Sequence, residues 1–333
     1  MKIETDVTRL LNIDLPILQA GMSWASSNAS LPLAVSRAGG LGVIAAGPMR
    51  LQDLADTIDA VRAGTDKPFA VNMPLYRNGA QEVLDLLEAK RIPILIASQG
   101  GPQTYLERFK AIGTTCLHVV ARETHALKAI AQGVDGLIIV GGEAGGHPPA
   151  DLVSTLVLVR AIAKATGNKI PLIASGGLVD GQGLAAAMAL GAGAANFGTR
   201  FIATPEAGVS PAYKQAIISA GVADTLTVGQ GLGMIRTLSN AFSEQMAALE
   251  RAAAPEDQRR DLFFASTLKM AAHDGDIAHG KVEAGQSAGL VDAILPAAQV
   301  VAQIATEYAH CISRLPQLTH GAETPCKTQR VGE

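Results

Sequence analysis

Aromatic residues are scarce: one Trp, four Tyr and seven Phe make up 4% of 333 residues. The core must therefore come from Ala, Val, Ile and Leu, within a hydrophobic share of 48%. That balance suits buried parallel strands alternating with Ala-rich helices. Cysteine is nearly lacking as well. Cys116, Cys311 and Cys326 are an odd number with no Cys-x-x-Cys pair, which speaks against a disulfide framework or a cysteine metal site and for a reducing cytoplasm. Neither sign of charge dominates, the net value being −3. Nucleic-acid and anionic membrane surfaces need clustered Lys and Arg, so both are excluded as partners. No apolar run approaches the roughly 20 residues of a membrane span. The first nine residues carry charges of both signs, unlike a secretory leader. No P-loop is present.

Glycine, by contrast, is plentiful at 35 residues, implying many tight turns and close backbone approaches. Short apolar runs at 16–19, 41–45, 69–73, 94–97, 115–120, 136–140, 171–175 and 194–198 read as strands. Between them, 51–63, 80–90, 104–112, 124–132, 154–166 and 184–190 carry apolar residues at helical spacing. Eight strands with intervening helices predict a TIM-type (β/α)₈ barrel, and the length suits one barrel of roughly 250 residues with an appended segment. Residues 1–210 and 296–318 are assigned to the barrel, with a last helix at 304–315. Residues 211–295 read as a mainly helical lobe over the active site, interrupted by the charged stretch 250–261. The polar end, 319–333, reads as a loose tail.

In such barrels the loops after the strands carry function. Here they contain Gln19-Ala20-Gly21-Met22-Ser23, Asn72-Met73-Pro74, Gly141-Gly142-Glu143-Ala144-Gly145-Gly146-His147, Ala174-Ser175-Gly176-Gly177 and Phe197-Gly198-Thr199-Arg200. The last two, after predicted strands 7 and 8, predict a phosphate site, with glycine backbone N–H groups brought close and the Ser175 and Thr199 hydroxyls as donors. Arg200 either adds charge there or closes a salt bridge at the rim. His147 stands out among seven histidines because it sits in a glycine-rich loop on the functional face, where an imidazole can take or give a proton near neutral pH. His118, His125, His310 and His320 read as structural.

Other motifs have plainer explanations. His273-Asp274-Gly275-Asp276 with His279 reads as a solvated turn rather than a metal site, and no metal is expected elsewhere. Gly229-Gln230-Gly231-Leu232-Gly233 lacks the strand and βαβ context of a dinucleotide loop. Gly285-Gln286-Ser287-Ala288-Gly289 matches a hydrolase elbow in letters only, since no good strand precedes it.

Taken together, Gln19-Ala20-Gly21-Met22, 66–72, Glu143-Ala144-Gly145-Gly146-His147, Ala174-Ser175-Gly176-Gly177 and Gly198-Thr199-Arg200-Phe201 resemble the nitronate monooxygenases. The flavin-dependent enoyl-ACP reductase II enzymes belong to the same superfamily. The resemblance runs over about residues 8–295. It implies an FMN-bound TIM barrel with a small helical lobe over the flavin. It also implies that Gly21, Met22, Asn72 and Glu143 contact the flavin ring or ribityl chain, with Gly146 beside them. Ser175, Gly176, Gly177, Gly198 and Thr199 would then hold the phosphate, and His147 would be the active-site histidine. One branch of the family carries a lysine in the loop after the fifth strand, where this chain has His118-Val119-Val120-Ala121, and Cys-Ala-Gly-His where this chain has Ala144-Gly145-Gly146-His147. Oxidation of an alkyl nitronate with O₂ is the leading expectation. The alternative is NAD(P)H-dependent reduction of an enoyl thioester carried by acyl carrier protein or CoA, and the second alternative is flavin binding without turnover. The resemblance leaves assembly open, with a homodimer as the simplest expectation.

Overall fold

Eight short strands are made almost entirely of Val, Ile, Leu and Ala. They are β1 Ile17–Gln19, β2 Gly42–Ala45, β3 Phe69–Pro74, β4 Ile94–Ser98, β5 Thr115–Val120, β6 Gly136–Val140, β7 Leu172–Ser175 and β8 Ala194–Phe197. The computed structural model describes residues 1–76 and 78–316, so the predicted tail at 319–333 lies outside the described residues. All eight strands pair in parallel in the order β1-β8-β7-β6-β5-β4-β3-β2. A bridge between Leu18 and Leu41 joins the two ends of that order and closes the barrel. Gln19 reinforces the closure, its buried amide accepting from Val43 N at 3.0 Å and donating to Val43 O at 3.2 Å.

The helices in chain order are α1 Asp6–Leu11, α2 Ser30–Arg37, α3 Leu51–Gly64, α4 Ala80–Ala89, α5 Leu106–Ala111, α6 Glu123–Gln132, α7 Thr155–Thr166, α8 Gly181–Ala189 and the short α9 Thr199–Ile202. Strand residues alternate between two apolar layers. Leu18, Val43, Ile94, Ile96, Ile138 and Ile173 fill the barrel interior, whereas Ile44, Val71, Leu95, Ile139 and Leu172 face the helices. Two early helices escape the sequence reading. A capping box between Thr5 and Thr8 starts α1, and its Val7 and Leu11 join the interior cluster. That helix plugs the end of the barrel where the strands begin, which leaves the C-terminal ends free for a site.

After α9 come α10 Pro211–Ser219, the antiparallel strands β9 Thr225–Val228 and β10 Ile235–Leu238, α11 Ala241–Arg251, α12 Glu256–Ala265 and α13 Leu268–Ala272. The helical lobe is present, and the structure adds a hairpin to it. Gly229, Gly231 and Gly233 turn that hairpin with φ of +86°, +79° and +109°, values that side chains rarely adopt. Val228, Ile235, Phe242, Met246 and Phe263 form its separate small core. The charged stretch breaks the helix as expected, but only briefly. Only Ala252–Pro255 is irregular, and α12 resumes at once because Glu256 and Asp257 suit a helix N-terminus. The chain then returns to the barrel as α14 Ala297–Ser313, longer than the predicted 304–315 at its start, where Pro296 caps it. Glu307 on α14 accepts from Gly181 N at 3.0 Å, docking it on α8. Among the described residues, no helix is long and apolar enough to cross a membrane.

Candidate active site

A cavity of about 1340 Å³ opens at the C-terminal ends of the strands, between the barrel and the lobe. Gly21, Met22, Asn72, Gly146, His147, Ser175, Gly176, Gly177, Gly198 and Thr199 all lie on its wall. Five strand ends and the loops after them, those of β1, β3, β6, β7 and β8, had to converge to bring these sequence-distant residues together.

Close approach explains the glycines. A Cβ on Gly21 would stand 2.4 Å from the Cβ of Asn72, so only glycine lets β1 and β3 meet there. Gly177 has φ +72°, and a Cβ there would stand 3.0 Å from the Cβ of Glu143. Gly176 is also left-handed, at φ +104°. The backbone after β7 therefore lies bare toward the cavity. Beside it, Asn196 Nδ2 donates to Ser175 Oγ at 3.0 Å, while Asn196 Oδ1 is buried with no partner. Thr199 Oγ1 accepts from Gly285 N at 2.9 Å and still has its own proton to donate.

Glu143 is placed differently from the other candidates. It is absent from the cavity wall. Its Oε2 accepts from Thr155 N at 2.8 Å and from Thr155 Oγ1 at 2.9 Å, capping α7. The same hydroxyl lies 2.9 Å from Gly176 O, so Glu143 and Thr155 together brace the loop after β7. Arg200 is buried off the wall and donates to Ala293 O at 2.9 Å rather than to a carboxylate. Neither role expected of it is seen, because α9 turns its guanidinium toward the chain entering α14.

The loop carrying His147 is sewn to the lobe. Gly146 N donates to Arg236 O at 3.1 Å, and Arg236 N donates back to Gly146 O at 2.7 Å. The buried Arg236 guanidinium also reaches Gly142 O at 2.9 Å and Thr225 Oγ1 at 3.1 Å. From the other side, Gln286 N donates to Glu143 O at 3.0 Å. With its loop so held, the exposed His147 side chain projects into the cavity.

Two further wall residues lie in the segment pairing with β10. Burial raises the Glu283 carboxyl above the usual carboxylate range, opposed by the nearby charges of His147 and Lys281. Burial pushes the Lys281 ammonium down to about 8, opposed by Glu283, and its Nζ sits 3.5 Å from the centre of the Phe263 ring. Sequence reading passed over both as functional groups, since their environment arises only when the lobe folds over the barrel. His118 accepts or donates a hydrogen bond with Tyr105 OH at 2.9 Å and also reaches the wall. The His273–Asp274 and His279–Asp276 contacts are separate exposed pairs, and no group of three or more candidate metal ligands exists among the described residues. Gly229–Gly233 forms the hairpin turn, and Ser287 lies in a short 3₁₀ helix, Gln286–Leu290, without a preceding strand.

Comparison with known proteins agrees with this architecture. The nitronate monooxygenase family profile matches residues 4–83 and 76–307. A nitronate monooxygenase of Paraburkholderia phytofirmans is 33% identical over 93% of this chain and 97% of its own. The (3aS,4S,5R,7aS)-5-hydroxy-7a-methyl-1-oxo-octahydro-1H-indene-4-carboxyl-CoA dehydrogenase of Mycobacterium tuberculosis is 35% identical over 76% of this chain and 71% of its own. Among solved structures, FabK from Thermotoga maritima superposes with a TM-score of 0.88 at 38% identity, covering 94% of this chain and 99% of that one.

Proposed function

The chain belongs to the nitronate monooxygenase family of flavin-dependent oxidoreductases, and from that premise we propose that it binds FMN and reduces an unsaturated acyl thioester with NAD(P)H. The size and charge of the cavity carry this reading. At about 1340 Å³ it exceeds the ~300–1,000 Å³ typical of a site for one small ligand. A flavin and a small nitronate would leave much of it empty. Among the described residues its wall bears Lys128 and Lys281 but a single carboxylate, Glu283, which suits a long, anionic second ligand. The relative acting on a carboxyl-CoA compound points the same way. This reverses the order in which the motifs alone rank the two reactions.

The residues present fit FMN. Backbone N–H groups around Gly176, Gly177 and Gly198, with the Ser175 and Thr199 hydroxyls, would hold the phosphate; a Cβ at Gly198 would extend toward the wall residues Ala20 and Met22, into the space the phosphate needs. Gly21, Met22, Asn72 and Gly146 would line the ring and ribityl chain. Asn196, also on the wall, keeps a buried Oδ1 without a partner beside Ser175. Glu143 acts at one remove, bracing Gly176 through Thr155. When bound, the flavin supplies hydride transfer between nicotinamide and carbon.

In the reaction, NAD(P)H loses a hydride and becomes NAD(P)⁺; the β-carbon of the enoyl thioester gains the hydride and the α-carbon a proton. His147 delivers that proton. Its imidazole stands on the open wall, held by the loop that Arg236 clamps. Glu283 and Lys281 set the charge around it, and the lobe limits water.

Nitronate oxidation with O₂ is the second reading, favoured by the nitronate monooxygenase relative that spans nearly the whole chain. There His147 would take the α-proton of a neutral nitroalkane. Anaerobic mixing separates the readings. Rapid bleaching of the yellow protein by NAD(P)H, followed by recovery on adding an enoyl thioester, is expected. Bleaching by a nitronate and not by NAD(P)H would reverse the assignment. Bleaching by neither would leave a flavin-binding protein without turnover. Denaturation should release FMN and not FAD, read by chromatography of the flavin.

A further inference from the structure

The cavity does not end at the barrel axis. Its wall includes Val119 and Val120 at the end of β5, Ala121 after it, and residues of α6, a part of the wall we term the α6 arm. From α6 these are His125, Lys128 and Gln132, and Gln103 is on the cavity wall as well. Spacings of three and four put these α6 residues on one helical face. They are exposed side chains of a helix whose apolar residues Ala126 and Ala129 face inward, so burial does not account for them.

The charge along this arm is unbalanced. Lys128 makes no ion pair among the described residues, whereas the neighbouring Arg122 is taken by Asp151 at 2.7 Å. Glu283, the one carboxylate on the cavity wall among the described residues, has its charge coupled to His147 and Lys281, in the lobe's segment of the wall rather than on α6. A free ammonium with an imidazole one turn away favours a phosphate. The amides of Gln103 and Gln132 can each donate and accept, as an amide-containing chain requires.

We propose that this arm is the subsite for the phosphorylated pantetheine tail of the thioester: Lys128 and His125 bind its phosphate, and Gln103 and Gln132 bind its amides. The assignment rests on the thioester reading above and deepens it by fixing where the far end of the substrate lies. The same chemistry belongs to coenzyme A and to the phosphopantetheine of a carrier protein.

Calorimetric titration of the flavin-loaded protein with free coenzyme A, with pantetheine, and with a phosphopantetheinylated carrier protein tests it. Lys128→Glu should weaken coenzyme A or carrier binding by about tenfold or more, the scale of one charge-assisted contact. Pantetheine, which lacks the phosphate, should bind both proteins alike, as should NAD(P)H. Turnover of a short N-acetylcysteamine enoyl thioester should be unchanged. A loss seen with the carrier and not with coenzyme A would identify the carrier as the source. Equal coenzyme A and carrier affinity in the two proteins, or no binding of either to the native protein, would overturn the subsite. So would a loss confined to NAD(P)H. If no enoyl thioester is turned over, yet coenzyme A binding still depends on Lys128, the subsite stands and the reductase reading falls.

Discussion

Gly177 illustrates how a single residue serves both the fold and the site. Its φ of +72° is left-handed, and the space for a Cβ is closed by Glu143. A β-branched residue there meets both obstacles. The left-handed backbone alone costs roughly 1–2 kcal/mol. Gly177→Val should therefore lose stability by about that amount or more, and FMN affinity should fall further because a side chain pressed against Glu143 displaces the loop backbone that lies on the cavity wall. Flavin titration of the folded apo-protein separates the two effects; unchanged affinity would mean the glycine only makes a turn. His147→Ala is the complementary case. The side chain is exposed on the cavity wall, so stability and FMN content should hold while turnover falls by about 10²–10⁴-fold. Steady-state rates beside flavin content decide it, and near-native turnover would return His147 to a structural role. Both residues are legible in the sequence because a histidine or paired glycines in a loop after a barrel strand need no tertiary information to stand out. Thr155 and Glu283 are not legible. A threonine at a helix start looks like an ordinary helix-start residue, and the approach of its hydroxyl to Gly176 O, shared with Glu143, depends on two loops meeting.

At the level of elements, the eight strands could be read from composition alone, since parallel strands buried on both faces are continuous apolar runs. The hairpin β9–β10 could not. Its strands of four residues mix Thr and Arg with apolar residues, and its glycine turn imitates a nucleotide loop. Yet this hairpin holds the loop carrying His147, through two backbone hydrogen bonds to Gly146 and the Arg236 guanidinium on Gly142 O. Burial lowers the Arg236 pKa, with the charge of Glu143 acting the other way. Arg236→Met would keep the length and the backbone bonds while removing the guanidinium. The orphaned Gly142 carbonyl should cost about 1–3 kcal/mol of stability. Turnover should fall more than KM rises, since the clamp orients His147 without touching substrate. Thermal unfolding and steady-state kinetics read the two effects. A rise in KM alone would place Arg236 in binding instead.

Over the whole molecule, closing the lobe on the barrel places charge in a half-buried interface, and that has a pH signature. Lys281 titrates near 8 in the folded protein against an ordinary value of 10.5, because burial disfavours its charged form. Between those values the unfolded chain binds more protons than the folded one. Stability must then rise as pH climbs through that window, because the cost of burying the ammonium disappears as it deprotonates. Glu283 acts in the opposite sense. Its raised pKa means that the folded state holds a proton the unfolded chain has released, so this contribution is lost as pH rises above the ordinary carboxylate value of 4.5. The two windows do not share their upper ends, which allows them to be separated. Lys281→Met, whose apolar side chain can still lie against Phe263, should abolish the alkaline rise and leave the acid-side slope in place. Urea melts of native and variant protein at intervals from pH 5 to pH 10.5 would show it, as a difference in stability that narrows progressively above about pH 8. A constant difference across that range would mean that Lys281 keeps its ordinary pKa, and that the lobe closes over the barrel without burying charge there.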